Sequence, residues 1–340
     1  MNRLFTFDQR GFRTGDQRGV ALIIVLWIFI FLFVVAFDFS ADVREEANAA
    51  HRFSEDTQGY YLALAGFQRG VYEFITQSQS GTTQATETPA GFFDFTWHEE
   101  KMGNGSFRVR LVDEGGKVNL NRADENTLRL VFNNIGVEEP RLSTLVDSIL
   151  DWLDPDNLHR ISGAESDYYE SLSPPYTAKN GMFDTVEELL WVKGVTPELF
   201  FGSRVEDDGA AGQSRTAGLG EIFSVDNPID RVNLRTASAE VIHAVTGLTL
   251  ERSRVFVEER KKLSDKTIGD LLPLLGIGAG DATTRMFVIA NPSIISVEAE
   301  GTTSGVGLPR RVRGVVRGSA GQGRFEMLRW IDRPNAQSRY

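Results

Sequence analysis

Eighteen successive residues, Val20 to Phe37, carry neither charge nor proline. At about 1.5 Å per residue they make roughly 27 Å of helix, close to the ~30 Å of hydrocarbon in a bilayer. Within lipid, a lone segment satisfies its backbone hydrogen bonds only as a helix. The run is therefore expected to be a transmembrane anchor, marked along its length by Val20, Ile24, Trp27 and Phe37. The residues before it carry Arg3, Arg10, Arg13 and Arg18 against Asp8 and Asp16. The positive-inside rule then leaves the N-terminus in the cytoplasm and everything after Phe37 across the membrane.

Three kinds of segment share this pattern. A cleaved secretory signal needs a small-residue site after the apolar run, and Phe37-Asp38-Phe39-Ser40-Ala41 is a poor one. A plain uncleaved anchor is the second. The third puts the processing site before the run, at Gly19/Val20, because Arg18-Gly19 leads straight into it. That junction resembles the leader of type IV pilins and type II secretion pseudopilins. The resemblance implies cleavage after Gly19 by the membrane-embedded prepilin peptidase, methylation at Val20, and a helix that stays on as anchor and assembly spine. Most members of that family have glutamate as the fifth mature residue, thought to compensate the amine of the next subunit; here it is Ile24. A subunit without that carboxylate suits the end of a filament, since an unpaired charge in lipid is costly. Within the family this absence marks the K-type minor pseudopilin.

The 340 residues allow one large or two modest domains beyond the anchor. Net charge −11 argues against a nucleic-acid partner or a general anionic-lipid binder. The absence of cysteine removes disulfides, zinc-thiolate sites and thiol nucleophiles together. His51, His98, His159 and His243 show no metal-ligand spacing.

From Phe39 to about Thr76 there is no proline, and Phe53, Tyr60, Leu64, Phe67, Val71 and Phe74 recur at helical spacing. This predicts one helix of roughly 85 Å from Val20 to Thr76, its first half projecting and its second packed on a sheet. Residues 81–91 read as a loop. Phe107, Val109 and Leu111 alternate with Arg108 and Arg110 as a half-buried strand, before a turn at Gly115-Gly116. Helical periods run from Asn119 to about Ala290, interrupted by a glycine-rich linker from Val205 to Gly220. Strands return after Ala290: Ile295, Val297 and Ala299 alternate with polar neighbours, and Arg310–Arg317 and Gln322–Asp332 follow. The faces around Met327-Leu328-Arg329-Trp330 are ambiguous.

The expected class is α+β. A long N-terminal helix packs on a small antiparallel sheet, pilin-like, with a large all-α insertion between the sheet segments. By residues this gives a leader at 1–19, a membrane segment at 20–37, a body at 38–119 and 291–340, and a helical insertion at 120–290. The insertion holds a weak repeat, Lys117-Val118-Asn119-Leu120 and Arg231-Val232-Asn233-Leu234, each followed by a polar cap and a helix. Glycine turns close the copies at Val192-Lys193-Gly194 and Leu275-Gly276-Ile277-Gly278. These units look like helix-hairpin-helix or SAM-like modules, which can present amides and cations to DNA phosphates. Only the last has a Gly-Ile-Gly element, and Asp270 and Asp281 flank it.

The segment richest in chemistry is Asp151-Trp152-Leu153-Asp154-Pro155-Asp156-Asn157, followed by Gly163-Ala164-Glu165 and Asp167. Carboxylates two residues apart, beside an amide, suit a hard cation with oxygen ligands, calcium rather than zinc. The spacing is not that of an EF-hand. Helix caps plus a solvated acidic loop would have the same composition. No histidine or serine constellation accompanies the acids, so the chain reads as an assembly part and not an enzyme.

Asp-Trp-Leu-Asp-x-Asp, Gly-Ala-Glu, Pro174-Pro175-Tyr176, Lys179-Asn180 and Glu187-Glu188-Leu189-x-x-Val192-x-Gly194, in this order, resemble the signature of the K-type minor pseudopilins of type II secretion. The resemblance implies calcium in the helical insertion, held by Asp154, Asp156, Glu165 and Asn180, with Asp151 and Asp167 as further candidates. It implies a single-pass inner-membrane protein with a periplasmic body, capping the pseudopilus tip and promoting its assembly for export across the outer membrane. The implied partners are the I and J minor pseudopilins, with secreted cargo and the outer-membrane secretin as further contacts. Two alternatives share the same elements: a minor pilin of a type IV pilus, and a membrane-tethered DNA-binding protein built on the helical hairpins.

Overall fold

The computed structural model describes residues 18–79, 96–202, 204–205, 214–262, 267–278, 281–304, 309–319 and 324–333. The chain divides into a unit ending at Gln58 and a unit beginning at Gly59. Helix α1, Arg18–Gln79, contributes to both.

In the first unit α1 contains an 18-residue window of mean hydropathy 3.0, none of it buried, so the helix is long and apolar enough to cross a membrane. Ile24, Trp27 and Phe37 are exposed along it. Gly19 and Val20 fall in its first turn, and residues 1–17, most of the expected leader, lie outside the described residues. Phe53 is exposed and takes no part in an apolar seam.

In the second unit, residues 59–79 of α1 lie on a five-stranded antiparallel sheet. Its strands are β1 (His98–Met102), β2 (Gly105–Asp113), β9 (Ile294–Thr303), β10 (Arg310–Ser319) and β11 (Arg324–Arg333), in that order across the sheet. Ala63, Phe67, Val71 and Phe74 pack on Phe107, Val109, Leu111, Ile295, Val297, Ala299, Val312 and Val316. Half of the helix side of this seam is small: a Cβ on Gly70 would fall 2.6 Å from Val297 Cγ1, and one on Gly301 of β9 only 2.1 Å from the Gly59 carbonyl oxygen. Helix and sheet thus meet almost backbone to backbone. Apolar spacing alone does not report such a seam, because glycine carries no hydropathy signal.

The other sheet face is a lattice of charge. Opposed residues pair across strands: Arg108 and Arg311 both meet Glu300, at 2.5 and 2.6 Å, and Arg110 meets Glu298 at 2.8 Å. Strand β11 keeps step with β10 except for a shift between Val315 and Val316, where Leu328 is passed over. That bulge explains why alternation fails around Met327–Trp330.

Between β2 and β9 the chain builds a second core. A 3₁₀ turn, Glu114–Gly116, leads to β3 (Val118–Asn119), α2 (Glu125–Asn134), α3 (Arg141–Leu153), α4 (Ser166–Glu170), a 3₁₀ segment Val186–Trp191 and α5 (Pro197–Phe201). Then come β4 (Arg204–Val205), β5 (Ser214–Arg215), α6 (Leu219–Ile222), β6 (Phe223–Ser224), β7 (Val232–Asn233), α7 (Ala239–Thr246), α8 (Leu250–Lys261), α9 (Ile268–Leu275) and β8 (Phe287–Val288). The block is thus helical but includes, among the described residues, three two-stranded pairs that spacing did not predict. One is an antiparallel pair, β4–β5, that overlaps the expected linker.

The other two pairs complete the repeat. In both, Val-Asn runs parallel to a Phe-containing dipeptide: Val118 beside Phe223, and Val232 beside Phe287. Asn119 donates to the Asn227 carbonyl at 2.9 Å, and Asn233 to the Ala290 carbonyl at 2.9 Å. Asp124 and Ser238 then cap the first helix of each copy. The second halves, Phe223-x-x-x-Asn227-Pro228 and Phe287-x-x-x-Asn291-Pro292, repeat in sequence as well. The acidic segment belongs to the first copy.

Candidate metal centre

Three carboxylates come together beyond the C-terminus of α3. Asp154 caps that helix, its N–H bonded to the Leu150 carbonyl at 3.0 Å, and Pro155 prevents continuation. Asp156 turns the following loop by accepting the Leu158 N–H at 2.8 Å. Glu165 stands at the start of α4 and makes no capping bond. One oxygen of each, Asp154, Asp156 and Glu165, can be chosen so that all lie within 4.8 Å of one another.

Asn180 closes the group from a separate loop. It sits at φ +50°, a left-handed conformation that asparagine tolerates better than most residues. Its amide donates to the Asp156 carbonyl at 2.6 Å and to Asn157 Oδ1 at 3.0 Å, and the Gly181 N–H bonds the Trp152 carbonyl at 3.1 Å. Asn180 Oδ1 is buried with no donor.

The same holds for Asp154 Oδ1 and for both oxygens of Glu165. Glu165 is 1% exposed. Burial, then the charges of Asp151, Asp154 and Asp156, raise its carboxyl to about 7, with a smaller opposing effect from His159. Four buried acceptor atoms without donors leave a large desolvation cost uncompensated. All are hard oxygens, and a divalent cation of the calcium type is the group that such a set fits.

Asp151 and Asp167 are placed differently. Asp151 is fully buried, but its oxygens accept the Arg160 N–H at 3.3 and 3.2 Å. It organises the loop from behind. Burial raises its carboxyl, as does the charge of Asp154. Asp167 is exposed, accepts the Tyr168 N–H at 2.8 Å and faces His159 at 3.5 Å. It stands outside the three-carboxylate group.

The family model of type II secretion system protein K matches residues 109–201, a stretch that contains the whole acidic group. A putative type II secretion system protein K of Escherichia coli K12 is 26% identical over 200 residues, 55% of this chain and 60% of that one. The type II secretion system protein K of Pseudomonas aeruginosa is 28% identical over 196 residues, 52% of this chain and 57% of its own. The chain is thus similar to the K proteins of type II secretion over its central part. It spans about 60% of the length of the curated K proteins it matches. A chain in the crystal structure of the GspK-GspI-GspJ complex from enterotoxigenic E. coli shares the fold: TM-score 0.60, 15% identity, covering 85% of this chain and 100% of that one.

The other K-type motif residues have structural work. Lys179 bonds Asp184 at 2.7 Å and Glu188 at 2.8 Å, while Glu188 closes a capping box with Thr185. Tyr176 donates its hydroxyl to the Trp191 carbonyl at 2.7 Å and stacks on Tyr169, which Trp152 meets edge-on. Leu189 and Val192 are core residues, and Gly194 takes φ +88°. Two residues around the acidic group went unread in the sequence, and Lys193 was read only as part of a glycine turn. Asp147 accepts the Ser162 N–H at 2.9 Å, Lys193 donates to the Gly163 carbonyl at 2.9 Å, and Arg160 pairs with Asp151. In the sequence, a lone cation or acid in a polar loop has the look of a solvated surface residue.

Proposed function

We propose that this chain is the tip subunit of a type II secretion pseudopilus, a minor pseudopilin that promotes assembly for protein export. The observation that carries the reading is where the helical block leaves the sheet. Gly105, the first residue of β2, lies by Leu62 of α1, whereas Leu111, near the strand's end, lies by Gly70. The block therefore grows from the end of the sheet remote from Gly59. There it would obstruct a further subunit stacking on that end. Ile24, in place of a membrane-embedded carboxylate, agrees with a subunit that has no successor to neutralise.

In this reading the apolar part of α1 is a single inner-membrane span with its N-terminus cytoplasmic and the second unit periplasmic. Prepilin peptidase releases the leader between Gly19 and Val20, and methylation follows on Val20. Partners are the I and J minor pseudopilins of the same system, with cargo and the secretin as further contacts. The chain is an assembly part, not an enzyme. The test is recovery of the chain from membranes of a secreting cell: intact mass should start at Val20, and the I- and J-type subunits should co-purify. A mature form that keeps Met1, or no partner recovered, would overturn it.

Calcium is the cation this reading assigns to the acidic group, held by Asp154, Asp156, Glu165 and Asn180. Bound there it supplies the positive charge that lets mutually repelling carboxylates stay together around the buried Glu165. Chelation should lower the melting temperature of the protein, and calcium should restore it. A melting temperature indifferent to both would remove the site.

A further inference from the structure

Asp154 is divided between two environments. Its Oδ1 is buried without a donor, while its Oδ2 faces the Arg160 guanidinium, with Nη2 at 3.7 Å. The same guanidinium places Nε 3.4 Å from Asp151 Oδ1. The Arg160 backbone N–H holds Asp151 as well, at 3.3 and 3.2 Å. One residue therefore meets two of the four acids. It does so through oxygens other than the donor-free ones of Asp154, Glu165 and Asn180.

We propose that Arg160 is a tethered counter-cation of the metal centre: it holds the acidic loop assembled when no metal is bound, and its charge weakens calcium binding. The inference rests on the calcium reading above. Four carboxylates, Asp151, Asp154, Asp156 and Glu165, crowd one loop system, and a fixed positive charge lowers their mutual repulsion. That charge stays when a dication arrives, because the guanidinium uses oxygens other than the donor-free ones. It then repels the dication. The loop has further metal-independent ties, Ser162 N–H to Asp147 and Lys193 to the Ser162 and Gly163 carbonyls, at 2.9, 3.4 and 2.9 Å. The centre is thus built to exchange calcium without unfolding.

The experiment compares wild type, Arg160→Gln, Arg160→Lys and Glu165→Gln as full chains in detergent. Melting is followed under chelation and across a calcium titration. For Arg160→Gln the metal-free melting temperature should fall while calcium binds about threefold tighter, the effect expected of one half-exposed charge. Arg160→Lys keeps the charge and should follow wild type in both readouts. Unchanged behaviour in Arg160→Gln, or weaker calcium binding in it, overturns the proposal while leaving the calcium site in place. A wild type that does not respond to calcium, and matches Glu165→Gln, overturns the calcium reading itself. The proposal then falls with it, whatever the metal-free melting of Arg160→Gln.

Discussion

Gly163 approaches Asp151 so closely that a Cβ built on the glycine would lie 1.9 Å from the Asp151 carboxylate oxygen Oδ2. The loop after α3 folds back over the helix at this point. Asp151 is fully buried and its carboxylate is held by backbone N–H groups, so it cannot swing aside. Gly163→Ala should therefore cost about 3 kcal/mol of stability, an overpacking penalty at a rigid site. It should also abolish the calcium-induced rise in melting temperature, because displacing the loop moves Glu165, two residues on. Denaturant unfolding with and without calcium checks both effects.

The metal-free protein should lose stability as the pH rises. Glu165, at about 7 in the fold, lies above its ordinary 4.5. A carboxyl raised on folding holds its proton longer in the native state than in the unfolded one. Its contribution is complete below 4.5 and is lost as the pH climbs through about 7. Under chelation the melting temperature should fall between pH 5 and pH 8 by more in wild type than in Glu165→Gln. With saturating calcium this fall should shrink, since the ion stabilises the charged form and displaces one proton. Calorimetry in two buffers of different ionisation enthalpy would count that proton.

A second carboxylate behaves in the opposite sense. Glu114, beyond the end of β2, is 1% exposed and accepts from Lys117 Nζ at 3.4 Å, from Arg313 Nη2 at 3.0 Å and from the Ser296 hydroxyl. Burial alone would raise it, but the charges of Lys117 and Arg313, with the serine hydroxyls, outweigh burial and hold it at about 2. Its stabilisation is present above 4.5 and is lost as the pH falls through about 2. Glu114→Ala leaves Arg313 buried beside a vacancy and should cost about 3 kcal/mol at neutral pH. The same substitution should flatten the acid limb of the unfolding curve, measured by circular dichroism between pH 2 and pH 5.

These cases divide what could be read in the sequence from what could not. Alternation gave the strands holding Val109 and Val297, and composition drew attention to Asp154, Asp156 and Glu165, because both signals are local. The Val-Asn-Leu copies were visible, whereas Phe223…Asn227-Pro228 and Phe287…Asn291-Pro292 were not linked to them. Each of those halves pairs with its partner across a different length of chain, so no fixed period exposes it. Arg160 and Glu114 owe their roles to residues brought near by tertiary folding. Their types alone, one cation and one acid among many, carry no such signal.

The glycine seam of α1 is the part of the fold that hydropathy misses and substitution should detect. Gly301 lies where a Cβ would meet the Gly59 oxygen at 2.1 Å and the Ala63 nitrogen at 2.4 Å, both backbone atoms of the helix. No side-chain rotation relieves such a contact, so α1 must lift from the sheet. Its lifting would expose Phe67, Val71 and Phe74, all now buried. Gly301→Ala should cost about 2 kcal/mol or more, and Gly301→Val should loosen the helix–sheet core altogether. Phe67 offers a control: its ring packs edge-on against Trp330 at 4.9 Å, so the tryptophan reports the seam directly. In a chain with its other tryptophans replaced by phenylalanine, Trp330 emission should shift to longer wavelength in Gly301→Val and stay put in a surface variant such as Gln68→Ala. The second core, which contains none of these residues, should keep its calcium response in every seam variant that remains folded.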